Sequence, residues 1–201
     1  MSAAGSRRTL LLATHNAHKT REFERLLTGS EHAWRVEPLA AGVELPPEDG
    51  STFAENALGK ARAAARACGR PAFADDSGIA AEALGWAPGV RSARYAGEHA
   101  TDAENLAKLL REAPPGSALQ YICVIAYCDP ENAIEELFEG RCSGRLAAHP
   151  RGTGGFGYDP AFLPDEDSSG RTMAELPDYE KDAISHRGRA ARALLRWLEG
   201  A

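Results

Sequence analysis

The chain has 201 residues, of which 43% are hydrophobic and 26% are charged, an ordinary balance for a globular protein with a proper core. The formal net charge is −6, and the sequence has no basic tail or Lys/Arg stripe, which argues against a nucleic-acid scaffold. An acidic chain can still bind a small anion through a local cluster of cations.

The first apolar run, TLLLA at residues 9–13, predicts a buried strand. It is too short for an export signal, and no later run approaches the length of a membrane span. After the turn THN, the spacing of Phe23, Leu26 and Leu27 predicts a helix from about residue 17 to Gly29.

This strand, turn and helix start would aim free backbone N–H groups at an anion. Lys19 lies in the first helical turn, where its positive charge interacts unfavourably with the helix macrodipole. A bound anion beside it would make the interaction of this charge favourable. Two interpretations stay open from these residues alone. The turn is an anion site, or Asn16 simply caps the helix and Lys19 lies in solvent.

A second helix is predicted after Thr52, because Thr52 and Glu55 have capping-box spacing and Gly69 is a suitable end. Lys60 lies on one face of this helix, four residues after Asn56. The preceding loop ELPPEDG is rigid and acidic and contains Glu48.

The next segment, FADDSG, places Asp75 and Asp76 side by side at the end of a short predicted strand. Successive side chains of an extended segment point to opposite faces, so we expect the two carboxylates to have different roles, one facing a cleft and one bracing the loop. IAAEAL is predicted to continue as a strand, and GWAPGVRSARYAG is predicted to be a loop.

Thr101 and Glu104 predict a third capped helix. Two longer strands follow at residues 118–129 and 133–147, joined by a hairpin turn at DPEN. RGTGGFGYDP is too glycine-rich for regular structure, and PDEDSSGR is predicted to be a surface turn.

The last segment, residues 178–200, is predicted to be one helix or a pair of helices. Ser185 as an N-cap would put His186 and Arg187 in a first helical turn, where cations oppose the macrodipole. Lys181, one turn earlier, could reach the same space. Helices interleaved with strands and one hairpin predict an α/β fold with a mixed sheet, in a single domain over residues 1–201.

Cations on three segments (Lys19, Lys60 and the last helix) and carboxylates at Glu48 and the Asp pair are what a Mg²⁺-nucleotide site requires. A metal would also explain why Asp76 is tolerated beside Asp75. The glycines of GGFGYDP would let backbone approach a ligand, with the Phe156 ring available for stacking. The alternative for this loop is a tight surface turn with Phe156 and Tyr158 in the core.

The segments THNAHK, TFAENALGKA, ADDSG, GGFGYDP and EKDAISHRGRA occur in the order and spacing of the inosine triphosphate pyrophosphatase family, and the chain resembles that family over nearly its whole length. Its members are dITP/XTP pyrophosphatases that act on deaminated purine nucleotides. One departure is His15, where bacterial relatives often have Gly. The resemblance implies an elongated mixed α/β fold, flanked by helices, with a central nucleotide-binding cleft.

The resemblance also implies hydrolysis of ITP, dITP or XTP to the monophosphate and pyrophosphate, with Mg²⁺. It implies that Asp76 is the proton acceptor and a metal ligand, and that Glu48 is a second acidic metal ligand. It further implies substrate contacts from the triphosphate-binding turn, from the base-binding segment and from single residues: Thr14, His15, Asn16, Ala17, His18, Lys19, Lys60, Ser77, Phe156, Gly157, Tyr158, Asp159, Lys181, His186 and Arg187.

The expected partner is a small nucleotide, not a nucleic acid or a membrane, and the resemblance implies a homodimer. The four cysteines form no CxxC pair and no metal spacing, so we expect reduced thiols in the cytoplasm. Two other functions stay open: a nucleotide-sensing module without turnover, which would not need Asp76 or Glu48, and a Maf-like pyrophosphatase acting on pyrimidine or modified nucleotides.

Overall fold

The computed structural model describes residues 8–28 and 34–200, in which strands alternate with helices as far as residue 81 and a β-hairpin and a final pair of helices follow later. The strands are β1 Arg8–Leu12, β2 Trp34–Pro38, β3 Ala72–Ala81, β4 Ala87–Pro88, β5 Ala118–Asp129, β6 Ile134–Leu146 and β7 Phe162–Pro164. The α-helices are α1 Ala17–Thr28, α2 Phe53–Cys68, α3 Asp102–Glu112, α4 Asp178–Ile184 and α5 His186–Gly200. Short 3₁₀ helices occupy Glu82–Leu84, Gly89–Arg94, Asp159–Ala161 and Met173–Glu175.

The sheet is mixed, as predicted. Among the described residues it has seven strands in the order β2-β1-β3-β5-β6-β7, with β4 paired to β3. β1 runs parallel to both β2 and β3, whereas β4 is antiparallel to β3 and β7 is antiparallel to β6. β5 and β6 are neighbours and form the predicted hairpin. The predicted α/β fold with flanking helices is therefore confirmed.

Within the described residues the chain divides into two compact units. Unit 1 comprises residues 8–28, 34–75, 125–138 and 191–200, and unit 2 comprises residues 76–124 and 139–190. Within these ranges, no helix is long and apolar enough to cross a membrane.

Unit 1 is built on small side chains. The alanine-rich face of α2 packs into a buried cluster with β1 and β3 residues, which include Leu11, Ala72 and Ala74. Phe23 of α1 meets Phe73 edge to face, with ring centroids 5.2 Å apart. Small residues on α2 let the helix lie close to the sheet, which brings the buried Lys60 side chain towards the strands.

Unit 2 has larger core side chains from the hairpin, α3 and the segments around β7. Its buried cluster includes Leu109, Leu119, Leu146, Phe162 and Met173. β6 alternates between buried and exposed residues from Phe138 to Leu146, which is the pattern of a strand with one buried face.

The helix ends lie close to the positions that the sequence predicts. Thr52 and Thr101 both form complete capping boxes, and Gly69 ends α2 in the left-handed conformation with φ of 64°. α1 is described to Thr28, and its predicted stop, Gly29, lies outside the described residues. The last segment is a pair of helices, which was one of the two predicted alternatives.

Three predictions about the strands were wrong in whole or in part, and one strand was missed. β3 does not end at the paired aspartates but continues through them to Ala81, so the strand predicted for IAAEAL is confirmed for residues 79–81, whereas Glu82–Leu84 is a 3₁₀ helix. The loop predicted after it contains β4 and a 3₁₀ helix. β2 was not predicted, because only one of its five residues is buried and its apolar pattern is weak.

Candidate functional site

Asn16 caps α1. Its side-chain Oδ1 accepts the backbone N–H groups of His18, at 2.9 Å, and Lys19, at 3.2 Å. The Asn16 N–H in turn donates to Thr14 Oγ1 at 3.2 Å. The four residues from His15 to His18 are exposed, so the turn presents the positive end of the α1 dipole to solvent.

Lys19 is not in solvent, so that part of the helix-cap interpretation was wrong. Its ammonium group lies 3.1 Å from Asp75 Oδ2 and 3.4 Å from the Asp75 carbonyl oxygen. The Lys60 ammonium donates to the same carbonyl oxygen at 2.6 Å and also pairs with Glu48. Two lysines from different helices therefore meet at Asp75, and we call Lys19, Lys60, Glu48 and Asp75 the lysine group.

The lysine group explains why one of the two adjacent carboxylates, Asp75, can be buried. Asp75 is fully buried, and a buried carboxylate is tolerated when it is paired with a cation and hydrogen bonded. Lys19 provides that countercharge inside unit 1. Asp75 is thus the bracing carboxylate of the pair.

Asp76 has a different environment, in unit 2. Its Oδ1 accepts the Ser77 N–H at 2.9 Å, and the residue is 4% exposed. Arg187 donates to the Ser77 hydroxyl oxygen at 2.8 Å, across 110 positions in the sequence. Ser77 and Arg187, predicted separately as substrate contacts, are therefore direct neighbours.

The Phe156 ring has two cations near it. Lys181 Nζ lies 5.4 Å and Arg187 Cζ lies 5.5 Å from the ring centroid, both within cation–π range. The prediction that Lys181 reaches the same space as Arg187 is confirmed. Phe156 itself is half-buried, so the loop is not simply a turn with this ring in the core.

Asp159 joins this arrangement through both of its oxygens. Oδ2 pairs with Lys181 Nζ at 2.8 Å and accepts the Phe156 N–H at 2.9 Å, while Oδ1 accepts the Tyr121 hydroxyl at 3.1 Å. Both Asp159 and Lys181 side chains are only 4% exposed. We call Phe156, Asp159, Lys181, His186 and Arg187 the base group.

The start of α5 holds His186 and Arg187. Ser185 is the predicted N-cap, and its Oγ accepts the Gly188 N–H at 3.0 Å. α5 also comes very close to β6 here, because a Cβ on Gly140 would lie 2.1 Å from the His186 carbonyl oxygen. Only glycine leaves room for the helix start at this distance, which fixes where both side chains begin.

Two predicted contacts of the base-binding segment have other partners. Tyr158 belongs to the unit 2 core, and its hydroxyl donates to the Ser92 carbonyl oxygen at 2.7 Å. Burial raises the pKa of the Tyr158 phenol well above its usual range, so the hydroxyl stays protonated. The Gly157 N–H donates to Asp102 Oδ2 at 2.9 Å. The core alternative is thus confirmed for Tyr158.

Sequence reasoning missed Tyr121. It lies within the apolar strand β5, where it was counted only as part of a buried run. The available signal was its hydroxyl, since a buried tyrosine usually needs a hydrogen-bond partner. That partner is Asp159, and the Tyr121 ring is also stacked on the His186 imidazole with centroids 4.4 Å apart.

The donor chemistry suits Mg²⁺ at single carboxylates. Within the described ranges, no group of three or more His, Cys, Asp or Glu side chains could hold a metal ion. Mg²⁺ does not require such a cage, because it is commonly held by one or two carboxylates together with substrate phosphates. Asp76 and Glu48 each offer hard oxygen ligands of this kind, although Glu48 is already paired with Lys60.

Comparison with known proteins gives matches over nearly the whole chain. A sequence model of the Ham1 family matches residues 10–197. The chain is 46% identical over 192 residues to a dITP/XTP pyrophosphatase of Geobacillus kaustophilus, covering 92% of this chain and 91% of that protein. A solved HAM1 protein from Coxiella burnetii matches with a TM-score of 0.84 and 43% identity, covering 96% of this chain and 100% of that chain. The Staphylococcus aureus Ham1 protein matches with a TM-score of 0.80 and 35% identity, covering 96% and 99%.

Proposed function

The chain belongs to the Ham1 family, and we propose that it is a dITP/XTP pyrophosphatase that removes deaminated purine nucleotides from the nucleotide pool. Its substrates would be ITP, dITP and XTP, and its products the nucleoside monophosphate and pyrophosphate. The observation that carries the proposal is the base group, in which an aromatic ring and a carboxylate from one loop meet two buried cations from α4 and α5.

The lysine group and the α1 turn support binding of a triphosphate. Lys19 and Lys60 are fixed by Asp75, so their positive charges are held in place before any ligand arrives. Fixed cations stabilise the charge that develops on phosphate oxygens during phosphoryl transfer. The exposed positive end of α1 adds a further attraction for an anion.

Asp76 is proposed as the general base. Water attacks the α-phosphorus, the bond from that phosphorus to the oxygen that bridges the α- and β-phosphates breaks, and pyrophosphate leaves with the bridging oxygen. The proton leaving the water passes to the Asp76 carboxylate. Asp76 and Glu48 are the carboxylates that would hold Mg²⁺. When bound, Mg²⁺ supplies positive charge that offsets the negative charge of the phosphate oxygens.

The choice of base is proposed to come from hydrogen bonds. Stacking on Phe156 cannot discriminate, because every purine has an aromatic face. A donor such as Arg187 or a backbone N–H would pair with the 6-keto oxygen of hypoxanthine or xanthine but would meet the 6-amino group of adenine as a second donor. An unpaired buried donor costs about 1–3 kcal/mol, which corresponds to roughly a five- to 150-fold preference.

We further propose a single domain, a homodimer and a cytoplasmic location. The family model, which spans residues 10–197, supports the single domain. The resemblance to the inosine triphosphate pyrophosphatase family supports the homodimer, which light scattering of the purified protein would test. All four cysteines are thiols, the state typical of the cytoplasm.

A substrate panel tests the proposed function. Purified protein is incubated with Mg²⁺ and the triphosphates of inosine, xanthosine, adenosine, guanosine and cytidine, and pyrophosphate and monophosphate are both measured. We expect the specificity constants for ITP and XTP to exceed that for ATP by at least about fivefold. Nucleotide binding without pyrophosphate release would indicate a sensor, and a preference for the pyrimidine would indicate a Maf-like enzyme.

A further inference from the structure

Tyr121 is enclosed between two rings in unit 2. The His186 imidazole lies parallel to it, with centroids 4.4 Å apart and an angle of 4° between the planes. The centroid of the Phe162 ring lies 4.5 Å from that of Tyr121, and the two ring planes make an angle of 39°. Because Tyr121 is only 5% exposed and held by strand β5, its ring defines the plane that the imidazole adopts.

The hydroxyl of Tyr121 reaches a second member of the base group. It donates to Asp159 Oδ1 at 3.1 Å, on the carboxylate whose other oxygen holds Lys181. Burial raises the pKa of this phenol well above its usual range, with the Asp159 charge as a further cause. The hydroxyl is therefore a donor throughout the physiological pH range.

Packing alone does not account for a tyrosine at this position. A phenylalanine would keep the same ring stack, and it would avoid the cost of removing a hydroxyl from water. The hydroxyl is useful because Asp159 has a second oxygen to satisfy once Oδ2 is occupied by Lys181 and the Phe156 N–H. Tyr121 thus fixes the rotation of the carboxylate as well as the imidazole plane.

We propose that Tyr121 is a positioning residue for base recognition. Its ring orients His186, and its hydroxyl orients Asp159 and, through it, Lys181. The inference rests on the proposed function, since that proposal assigns the base group to the purine. Tyr121 itself need not touch the nucleotide.

The test compares Tyr121→Phe, Tyr121→Leu and the control Tyr127→Phe. Tyr127 lies on the same strand and is also buried, but it packs against Trp197 in unit 1. Inosine monophosphate is titrated into each protein by calorimetry, which requires no turnover. We expect Tyr121→Phe to weaken binding by about five- to tenfold, the effect of one lost hydrogen bond, and Tyr127→Phe to change it less than about twofold.

Two further readouts separate positioning from general destabilisation. In Tyr121→Phe the KM for ITP should rise by about the same factor while kcat stays within about twofold. In the nuclear magnetic resonance spectrum, the ring-current shift of the His186 imidazole protons should persist in Tyr121→Phe and disappear in Tyr121→Leu.

Equal monophosphate affinity in Tyr121→Phe and Tyr127→Phe would overturn the positioning role, as would an unchanged His186 shift in Tyr121→Leu. A failure of the proposed function gives a different result, because the wild-type protein would then release no pyrophosphate from ITP. An active wild-type enzyme with an unaffected Tyr121→Phe variant would refute only the role of Tyr121.

Discussion

The Lys19 ammonium lies 3.1 Å from the Asp75 carboxylate, although 56 positions separate the two residues in the sequence. The Asp75 side chain is completely buried and that of Lys19 is 13% exposed. The pair therefore gives the first of two adjacent carboxylates a countercharge inside unit 1. Asp76, which accepts the Ser77 N–H, is the carboxylate that we propose for the chemistry.

Asp75→Asn should destabilise the protein strongly. The change leaves the Lys19 cation without its carboxylate, and breaking a buried ion pair from one side costs about 3–5 kcal/mol. The free energy of unfolding in urea measures this. The matched control is Glu135→Gln, which breaks a bidentate but exposed pair with Arg62 and should change stability very little. Equal effects of the two changes would contradict the bracing role of Asp75.

Asp76→Asn should remove activity and preserve the fold. Loss of a general base lowers the rate by roughly a hundredfold or more. The asparagine side chain keeps an oxygen that can accept the Ser77 N–H, so the free energy of unfolding should fall much less than in Asp75→Asn. Pyrophosphate release and urea unfolding are measured on the same preparation. Near-normal Mg²⁺-dependent turnover would show that Asp76 has no catalytic role.

Gly140→Ala should weaken substrate binding. The added methyl group would meet the His186 carbonyl oxygen at 2.1 Å and the Ala190 nitrogen at 2.6 Å, so the start of α5 must move. We expect a higher KM for ITP and a loss of about 1–3 kcal/mol in stability.

The control for Gly140 is Gly59→Ala, in the middle of α2. A Cβ there has only an ordinary contact with Pro46 at 3.7 Å. Alanine is the better helix former, so this variant should gain about 0.5–1 kcal/mol and keep the wild-type KM. If both variants behave alike, the close approach of α5 to β6 does not position the base group.

The protein should lose stability above pH 9 partly through Cys142. Burial raises the pKa of this thiol to about 12 from its ordinary value near 9, with the Glu166 charge as a second cause. Between these values the folded state keeps the proton and the unfolded state releases it, so stability falls as pH rises.

Cys142→Ala removes the contribution of this thiol to the pH dependence of stability. Between pH 8 and 10 the wild-type free energy of unfolding should fall by about 1.4 kcal/mol more than that of the variant. Urea unfolding at the two pH values measures the difference, with Cys68→Ala, a half-buried thiol, as the control. Parallel pH profiles for wild type and Cys142→Ala would contradict the prediction.

The sequence by itself determined the helix ends, the family and the residues expected to bind substrate. Capping residues such as Thr52, Thr101 and Ser185 act through hydrogen bonds to residues only three positions away, so local sequence is sufficient to predict them. The five motifs were recognisable for a similar reason, because each is a short contiguous segment.

Only the tertiary structure decided which charges are paired. Lys19 was expected either to bind an anion or to lie in solvent, and as a cation in a first helical turn it was expected to oppose the macrodipole and so to destabilise the unliganded protein slightly. Its pairing with Asp75 reverses that expectation for the unliganded protein. Likewise, Asp159 is held by Lys181 and Tyr121, 22 and 38 positions away. Such pairs depend on which strands and helices become neighbours, and the energy of a buried charge depends on that environment rather than on its sequence neighbours.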